Sequence, residues 1–203
     1  MNSADREMEV KFALTSLAKL ENALIENGAR LVHPRVLETN LRFDTPKRTL
    51  LAEHRVLRLR QDEKVRLTYK GPSQAGLEVG LRQEIEFEIG DFEAARRFFE
   101  ALGYVVIMVY EKYRTTYVLG DVEVMLDEMP YGVFAEIEGS EAEQIRQAAL
   151  QLGLNWEARA AVSYQELFFR LRKAFQLPVE NLTFAEFAPY TFTPADFDLV
   201  AAN

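Results

Sequence analysis

Cysteine is absent from the 203 residues, and histidine and tryptophan are scarce, with two and one respectively. Without cysteine, the chain has no disulfide framework, thiolate metal site, iron–sulfur cluster or cysteine nucleophile. With His33 and His54 alone, a metal site built from histidines is nearly excluded as well. Thiol chemistry is therefore ruled out as the basis of function.

Long apolar runs and an excess of basic residues are also missing. The longest apolar stretch, Tyr104–Tyr110, is far shorter than the ~20 residues that a membrane span requires. The start, Met1–Val10, has no hydrophobic region of the kind that a signal peptide needs. Lys and Arg total 24 against 32 Asp and Glu, a net charge of −8, which argues against nucleic-acid binding by a broad basic surface. We expect a soluble, cytoplasmic protein without membrane or nucleic-acid partners.

The length of the chain fits one domain, with or without an appendage. Capping residues and the glycines that end helices predict four helices. They begin after Thr15 or Ser16, after Asp91, after Ser140 with Glu143 in a capping box, and after Ser163 with Glu166 in a second box. The first three end at Gly28, Gly103 and Gly153, and the fourth continues towards Phe175.

Alternation with a period of two predicts strands through most of the remainder. These strands are Glu7–Phe12, Val36–Phe43, Arg55–Arg60, Val65–Lys70, Arg82–Ile89, Tyr110–Leu119, Val122–Asp127 and Phe134–Glu138. The tail after Phe175 differs, since aromatic residues stand among prolines 178, 189 and 194. So much aromatic surface is expected to pack on the domain.

Residues two apart share a strand face, so the ionisable side chains of each strand lie together. Acids and bases occupy largely separate strands, as in the sets Glu7, Glu9 and Lys11; Arg58 and Arg60; Arg66 and Lys70; Arg82, Glu84, Glu86 and Glu88; Lys112 and Arg114; Glu123 and Asp127; Glu136 and Glu138.

Two interpretations of these charged faces stay open at this point. An antiparallel sheet with one face on helices and the other in water explains any single strand. An eight-stranded sheet closed into a barrel would instead turn the charges inward. Buried charge must be hydrated, paired or bound to ions. In such a barrel the carboxylates would bind hard divalent cations, and the basic side chains would bind a polyanion such as phosphate.

An ordered series of motifs resembles the CYTH superfamily, also called triphosphate tunnel metalloenzymes. Glu7-Met8-Glu9-Val10-Lys11 matches the family's ExExK signature. Further matches follow in family order over about residues 5–170: Phe43–Pro46, Leu57–Arg60, Leu67–Pro72, Arg82–Glu86, Glu111–Arg114, Leu126-Asp127, Gly132–Glu138 and Ser163–Leu167. The resemblance implies an α+β fold, an eight-stranded antiparallel closed β-barrel with helices packed outside.

The resemblance also implies roles for individual residues. The positions that would hold Mg²⁺ or Mn²⁺, generally as a two-metal site, are Glu7, Glu9, Asp127, Glu136 and Glu138. The positions that would bind triphosphate are Lys11, Arg58, Arg60, Lys70, Arg82, Lys112 and Arg114, of which Lys11, Lys112 and Arg114 are the catalytic candidates. Asn40 and Arg42 depart from the acidic residue and tyrosine usual in the family.

The implied function is metal-dependent hydrolysis of inorganic, nucleoside or thiamine triphosphate. A class IV adenylyl cyclase is the alternative, but Met1–Arg6 lack the His-Phe pair that such cyclases carry ahead of the ExExK strand. A non-catalytic polyphosphate-binding module is a third possibility. Residues 1–173 are predicted to form the catalytic domain, and residues 174–203 are predicted to form an aromatic-rich extension packed on it. A homodimer is a possible assembly.

Overall fold

The computed structural model describes residues 6–72 and 80–203, excluding the side chains of residues 6, 7, 80 and 81. Within these residues, nine strands form one antiparallel sheet. Their bounds are β1 Arg6–Leu14, β2 Arg30–Asp44, β3 Val56–Gln61, β4 Val65–Lys70, β5 Gly80–Ile89, β6 Val105–Leu119, β7 Val122–Met129, β8 Gly132–Gly139 and β9 Arg159–Ala160.

The strands follow the order β5-β4-β3-β2-β6-β7-β8-β1-β9, and β1 makes an additional pairing with β5. One edge of β1 pairs with β8, while the other pairs with β5 from Arg6 to Glu9 and with β9 at Lys11 and Phe12. The predicted antiparallel α+β fold is confirmed. The predicted count of eight strands is wrong by one, because the two residues of β9 add a short strand beside β1.

Six α-helices are present in the described part of the chain. They are α1 Leu17–Glu26, α2 Thr49–Ala52, α3 Phe92–Ala101, α4 Ala142–Gln151, α5 Tyr164–Ala174 and α6 Phe184–Phe187. Asp91 and Ser163 cap α3 and α5 as predicted. The capping box at Ser140 is wrong: Glu141 is the N-cap of α4, and the Ser140 hydroxyl bonds the Gln144 side chain instead of a backbone N–H.

Apolar side chains on one face of the sheet pack against the helices. Phe12 and Ile137 share a buried cluster with Leu24 of α1 and Ile145 of α4. In a second cluster, strands β2 and β3 pack against Phe99 of α3. Because successive side chains of a strand alternate between its faces, the charged residues lie on the face turned away from these helices.

The segment after α5 packs on one end of the sheet. Leu182 and Phe187 are buried with Met108, Tyr131 and other residues of β6–β8 and α5. The backbone of Leu182 exchanges hydrogen bonds with Val109 and Glu111, on the part of the β6 edge that β7 does not reach. The domain boundary after residue 173 stays a prediction. In the described residues, no helix is both long enough and apolar enough to cross a membrane.

Candidate active site

A cavity of about 1330 Å³ lies on the charged face of the sheet, and each of the strands β1–β8 contributes side chains to its wall. Ten of the residues predicted to bind substrate or metal line it: Glu9, Lys11, Arg58, Arg60, Lys70, Arg82, Lys112, Arg114, Glu136 and Glu138. Asp127 is fully buried behind this wall. The side chain of Glu7 falls outside the described residues. The sequence motifs, although far apart in the chain, thus meet around one space.

On one side of the cavity, Glu86 of β5 holds two arginines of β3. Its Oε2 atom lies 3.3 Å from both Arg58 Nη2 and Arg60 Nη2, and it accepts a 2.7 Å hydrogen bond from the Thr68 hydroxyl. Next to this group, Glu84 and Lys70 form a 2.8 Å ion pair. Side chains held by carboxylates lose less conformational freedom when an anion binds them.

One fully buried carboxylate organises the basic residues of β6. The Asp127 oxygens accept two 2.6 Å hydrogen bonds from Arg114 and one of 3.0 Å from Lys112 Nζ. The Tyr164 hydroxyl donates a further hydrogen bond of 2.8 Å. Since four donors already surround Asp127, its contacts in this structure favour a role in positioning Lys112 and Arg114.

Glu136 connects the same group to β1. Its Oε1 atom lies 2.7 Å from Lys11 Nζ, and its other oxygen accepts from Arg114. The Lys11 ammonium also sits 4.3 Å from the centroid of the Tyr164 ring, within the range of a cation–π interaction. Lys11 therefore has a fixed position at the cavity wall.

The paired charges stay ionised despite their burial. Burial disfavours the charged forms of Lys11 and Glu136, but Glu136 raises the pKa of Lys11 while Lys11 and Arg114 hold the pKa of Glu136 well below its usual range. Burial would likewise raise the pKa of Tyr110, yet the Arg58 cation outweighs it and lowers that pKa. The wall thus carries fixed charges of both signs at neutral pH, held in ion pairs.

Glu9 and Glu138 lie directly opposite each other on β1 and β8, and both line the cavity. Like charges in such positions repel, so a cation between them would be favourable. Mg²⁺ is commonly held by one or two carboxylates together with substrate phosphates. In the described residues, no three His, Asp or Glu side chains form a ready-made metal cluster. The donor set therefore fits an ion that completes its coordination with phosphate and water.

Three residues important to this geometry were not among the predicted site residues. Glu38 lies 3.3 Å from Arg60 and 3.7 Å from Lys112, Tyr110 bonds Arg58, and Tyr164 bonds Asp127. The alternation of Val36–Phe43 places Glu38 in phase with Asn40 and Arg42, which is the signal that could have identified it.

Comparison with known proteins assigns the family. The CYTH domain matches residues 5–164, which is more than half of the chain. The chain belongs to the CYTH family. A curated relative, "Putative adenylate cyclase MJ0240" of Methanocaldococcus jannaschii, is 29% identical over 136 residues, covering 66% of this chain and 77% of that protein.

Solved structures share the fold of this CYTH protein. A "putative adenylate cyclase" from Vibrio parahaemolyticus superposes with a TM-score of 0.73 at 24% identity, covering 81% of this chain and 98% of that one. HpAC1 from Hippeastrum, a protein with a dominant triphosphatase activity, gives 0.61 at 20% identity over 80% and 95% of the two chains. At these identities the likeness establishes the fold alone.

Proposed function

We propose that this CYTH protein is a metal-dependent hydrolase of triphosphates, with inorganic, nucleoside or thiamine triphosphate as candidate substrates. The observation that supports it most is the cavity wall, where β1, β3, β4, β5 and β6 all present cations. A triphosphate is a compact polyanion, and several converging Arg and Lys side chains are the groups that bind one.

We further propose that the pairing of β1 with β5 closes β1–β8 into a tunnel around this cavity. In a sheet closed in this way, the cations of opposite strands face one another across the interior. A triphosphate in the tunnel could then contact both sides at once. Removal of bulk water would strengthen these interactions.

The cationic side chains take two roles in this proposal. Arg58, Arg60, Lys70 and Arg82 bind and orient the phosphate chain. Lys11, Lys112 and Arg114 neutralise the charge that develops when water attacks the terminal phosphorus and the bridging P–O bond breaks. Asp127 and Glu136 hold these catalytic cations in place, so no side chain need form a covalent intermediate.

Glu9 and Glu138 are the described carboxylates best placed to hold Mg²⁺ or Mn²⁺, and Glu7 stays a candidate from the ExExK signature. When bound, the ion would supply Lewis-acid polarisation of phosphoryl oxygens and a more acidic water molecule. Glu9 lies 3.2 Å from Arg82, so this carboxylate can also orient a phosphate-binding cation.

A product analysis tests the assignment. The purified protein is incubated with Mg²⁺ and, in separate reactions, ATP, inorganic triphosphate or thiamine triphosphate, and the products are separated. Hydrolysis yields orthophosphate, whereas cyclisation of ATP yields cyclic AMP and pyrophosphate. We expect orthophosphate release. Formation of cyclic AMP would establish the cyclase alternative, and binding without turnover would indicate a polyphosphate-binding module.

Two lysine variants make this test specific. Lys11→Ala removes a cation of the cavity wall, and we expect its kcat/KM to fall about 100-fold or more, as when one electrostatic stabiliser is lost. Lys64→Ala removes a lysine whose side chain is more than half exposed and pairs with Glu88. Equal activity of the two folded variants would contradict the proposed site.

A further inference from the structure

Asn40 and Arg42 belong to a part of the inner face that the proposed mechanism does not use. Strand β2 presents Glu38, Asn40 and Arg42 in alternate positions, and Glu38 and Arg42 line the cavity. In register with Asn40 lie Arg60 of β3 and Tyr110 of β6. Of these positions, Arg42 adds a cation to the cavity wall.

The balance of charge changes along this strand. Glu38 stands opposite Lys112 and supplies it with a carboxylate. Two residues further on, Asn40 is neutral, and after two more Arg42 is itself a cation opposite Arg58. Carboxylates on β2 therefore end at Glu38 within the cavity, while cations continue beyond it.

Both polar side-chain atoms of Asn40 and one nitrogen of Arg42 have no partner in the described part of the chain. Asn40 is 0% exposed, and neither its amide oxygen nor its amide nitrogen has a hydrogen-bond partner among the residues that the structure describes. The buried Nε of Arg42 likewise has no hydrogen-bond partner among the described residues. Leaving such groups unsatisfied is costly, which indicates a place for a ligand.

Electrostatics at Arg42 agree with this geometry. Burial and the neighbouring cations Arg58 and Arg82 lower the pKa of the Arg42 guanidinium, and together they outweigh Tyr110 and Asp44, which raise it. The carboxylate of Glu86 is already shared by Arg58 and Arg60. An additional anion beside Arg42 would therefore favour its charged form.

We propose that Asn40 and Arg42 form an anion subsite that continues the triphosphate-binding wall and accepts a fourth phosphoryl group. The preferred substrate is then a linear polyphosphate of at least four phosphoryl groups. Arg42 supplies the cation, and the Asn40 amide nitrogen supplies a neutral donor. This inference rests on the proposed function, whose substrate class it narrows.

Binding calorimetry tests the subsite without turnover. Inorganic triphosphate and tetraphosphate are titrated into the full chain in the presence of EDTA. We expect the wild type to bind tetraphosphate about tenfold more tightly, since one additional charge-assisted contact is worth about that factor. Arg42→Gln should reduce this preference to about threefold or less, and Arg42→Lys should retain most of it.

Two further variants distinguish binding at the subsite from an effect of the total charge of the protein. Asn40→Asp places a carboxylate beside Arg42 and Arg60, so we expect it to lose the preference for tetraphosphate. Arg97→Gln removes an exposed arginine of α3 and should keep that preference. Circular dichroism melting confirms that each variant is folded.

Equal affinity of the wild type for the two anions, or an unchanged preference in Arg42→Gln, would overturn the subsite. The binding measurements can be interpreted whether or not the protein hydrolyses triphosphate. If triphosphate is hydrolysed but tetraphosphate is not preferred, only the subsite is wrong. If tetraphosphate is preferred through Arg42 but no phosphate is released from either anion, the subsite stands and the hydrolase assignment fails.

Discussion

Arg114 of β6 and Asp127 of β7 are direct cross-strand partners, joined by two hydrogen bonds of 2.6 Å. The geometry is that of a guanidinium fork on a carboxylate, which fixes orientation as well as position. Asp127 also accepts from Lys112 and Tyr164. One buried carboxylate therefore sets the arrangement of two cations that line the cavity.

Replacing that carboxylate should affect both stability and activity. Asp127→Asn leaves Arg114 and Lys112 without their shared negative partner, and we expect the free energy of unfolding to fall by about 3–5 kcal/mol. Misplaced cations should lower kcat/KM about 100-fold or more. Urea unfolding and steady-state phosphate release measure the two effects. Asp121→Asn, at an exposed turn before the same strand, is the control and should change little.

The metal requirement of the reaction should involve the facing carboxylates of β1 and β8, Glu9 and Glu138. We expect EDTA to abolish triphosphate hydrolysis and Mg²⁺ or Mn²⁺ to restore it. Glu9→Gln and Glu138→Gln should each raise the Mg²⁺ concentration for half-maximal activity by about tenfold or more. Glu143→Gln on the exposed side of α4 is the matched control. Turnover that survives chelation would refute a metal-dependent reaction.

Acid should destabilise the protein partly through Glu38. Burial favours protonation of this carboxyl, but Lys112 and Arg60 outweigh it and hold its pKa below the ordinary 4.5. A lowered folded-state pKa contributes stability above the unfolded value that is lost as the pH falls towards the folded value. We therefore expect the melting temperature to fall below about pH 4.5, and less steeply in Glu38→Gln. Identical acid profiles would show that Glu38 contributes nothing to this transition.

The segment after α5 should contribute to global stability. Phe187 is 1% exposed and its ring lies near those of Tyr131 and Phe168, so Phe187→Ala leaves a cavity. We expect a loss of about 3–5 kcal/mol in the free energy of unfolding, measured in urea. Phe98 is 60% exposed on α3, and Phe98→Ala should cost about 0.5 kcal/mol or less. Similar losses in both variants would argue against this segment as part of the core.

The sequence predicted the strands and their charged faces well because alternation is a local property. Arg58 with Arg60, and Lys112 with Arg114, stand two residues apart in short periodic runs, and each pair lines the cavity. Glu38 escaped notice because no second carboxylate stands two residues before or after it. Its role depends on Lys112, a residue 74 positions away that only strand pairing brings close.

Contacts between segments that are distant in the chain could not be predicted from local sequence patterns. The pairing of Arg6 with Gln83 joins β1 to β5, and no periodicity within either strand specifies that partner. The aromatic composition of the tail predicted that it packs on the domain. Its position is set by Asn181 and Leu182, which bond backbone groups of β6 and carry no distinctive sequence signal. Ser140 was misassigned because the helix begins one residue later, after Glu141, although Ser is the residue type that N-caps prefer.

The hydrogen bonds between Leu182 and β6 bear on how the protein can be shortened. A version ending near residue 173 would uncover the backbone N–H groups of Val109 and Glu111 and the carbonyl of Val109. Exposed strand borders of this kind recruit strands from other molecules and promote aggregation. Tyr110, on the same stretch, lines the cavity, so intermolecular pairing there would also disturb the cavity wall. A version that ends near residue 173 is thus expected to give poorly soluble material.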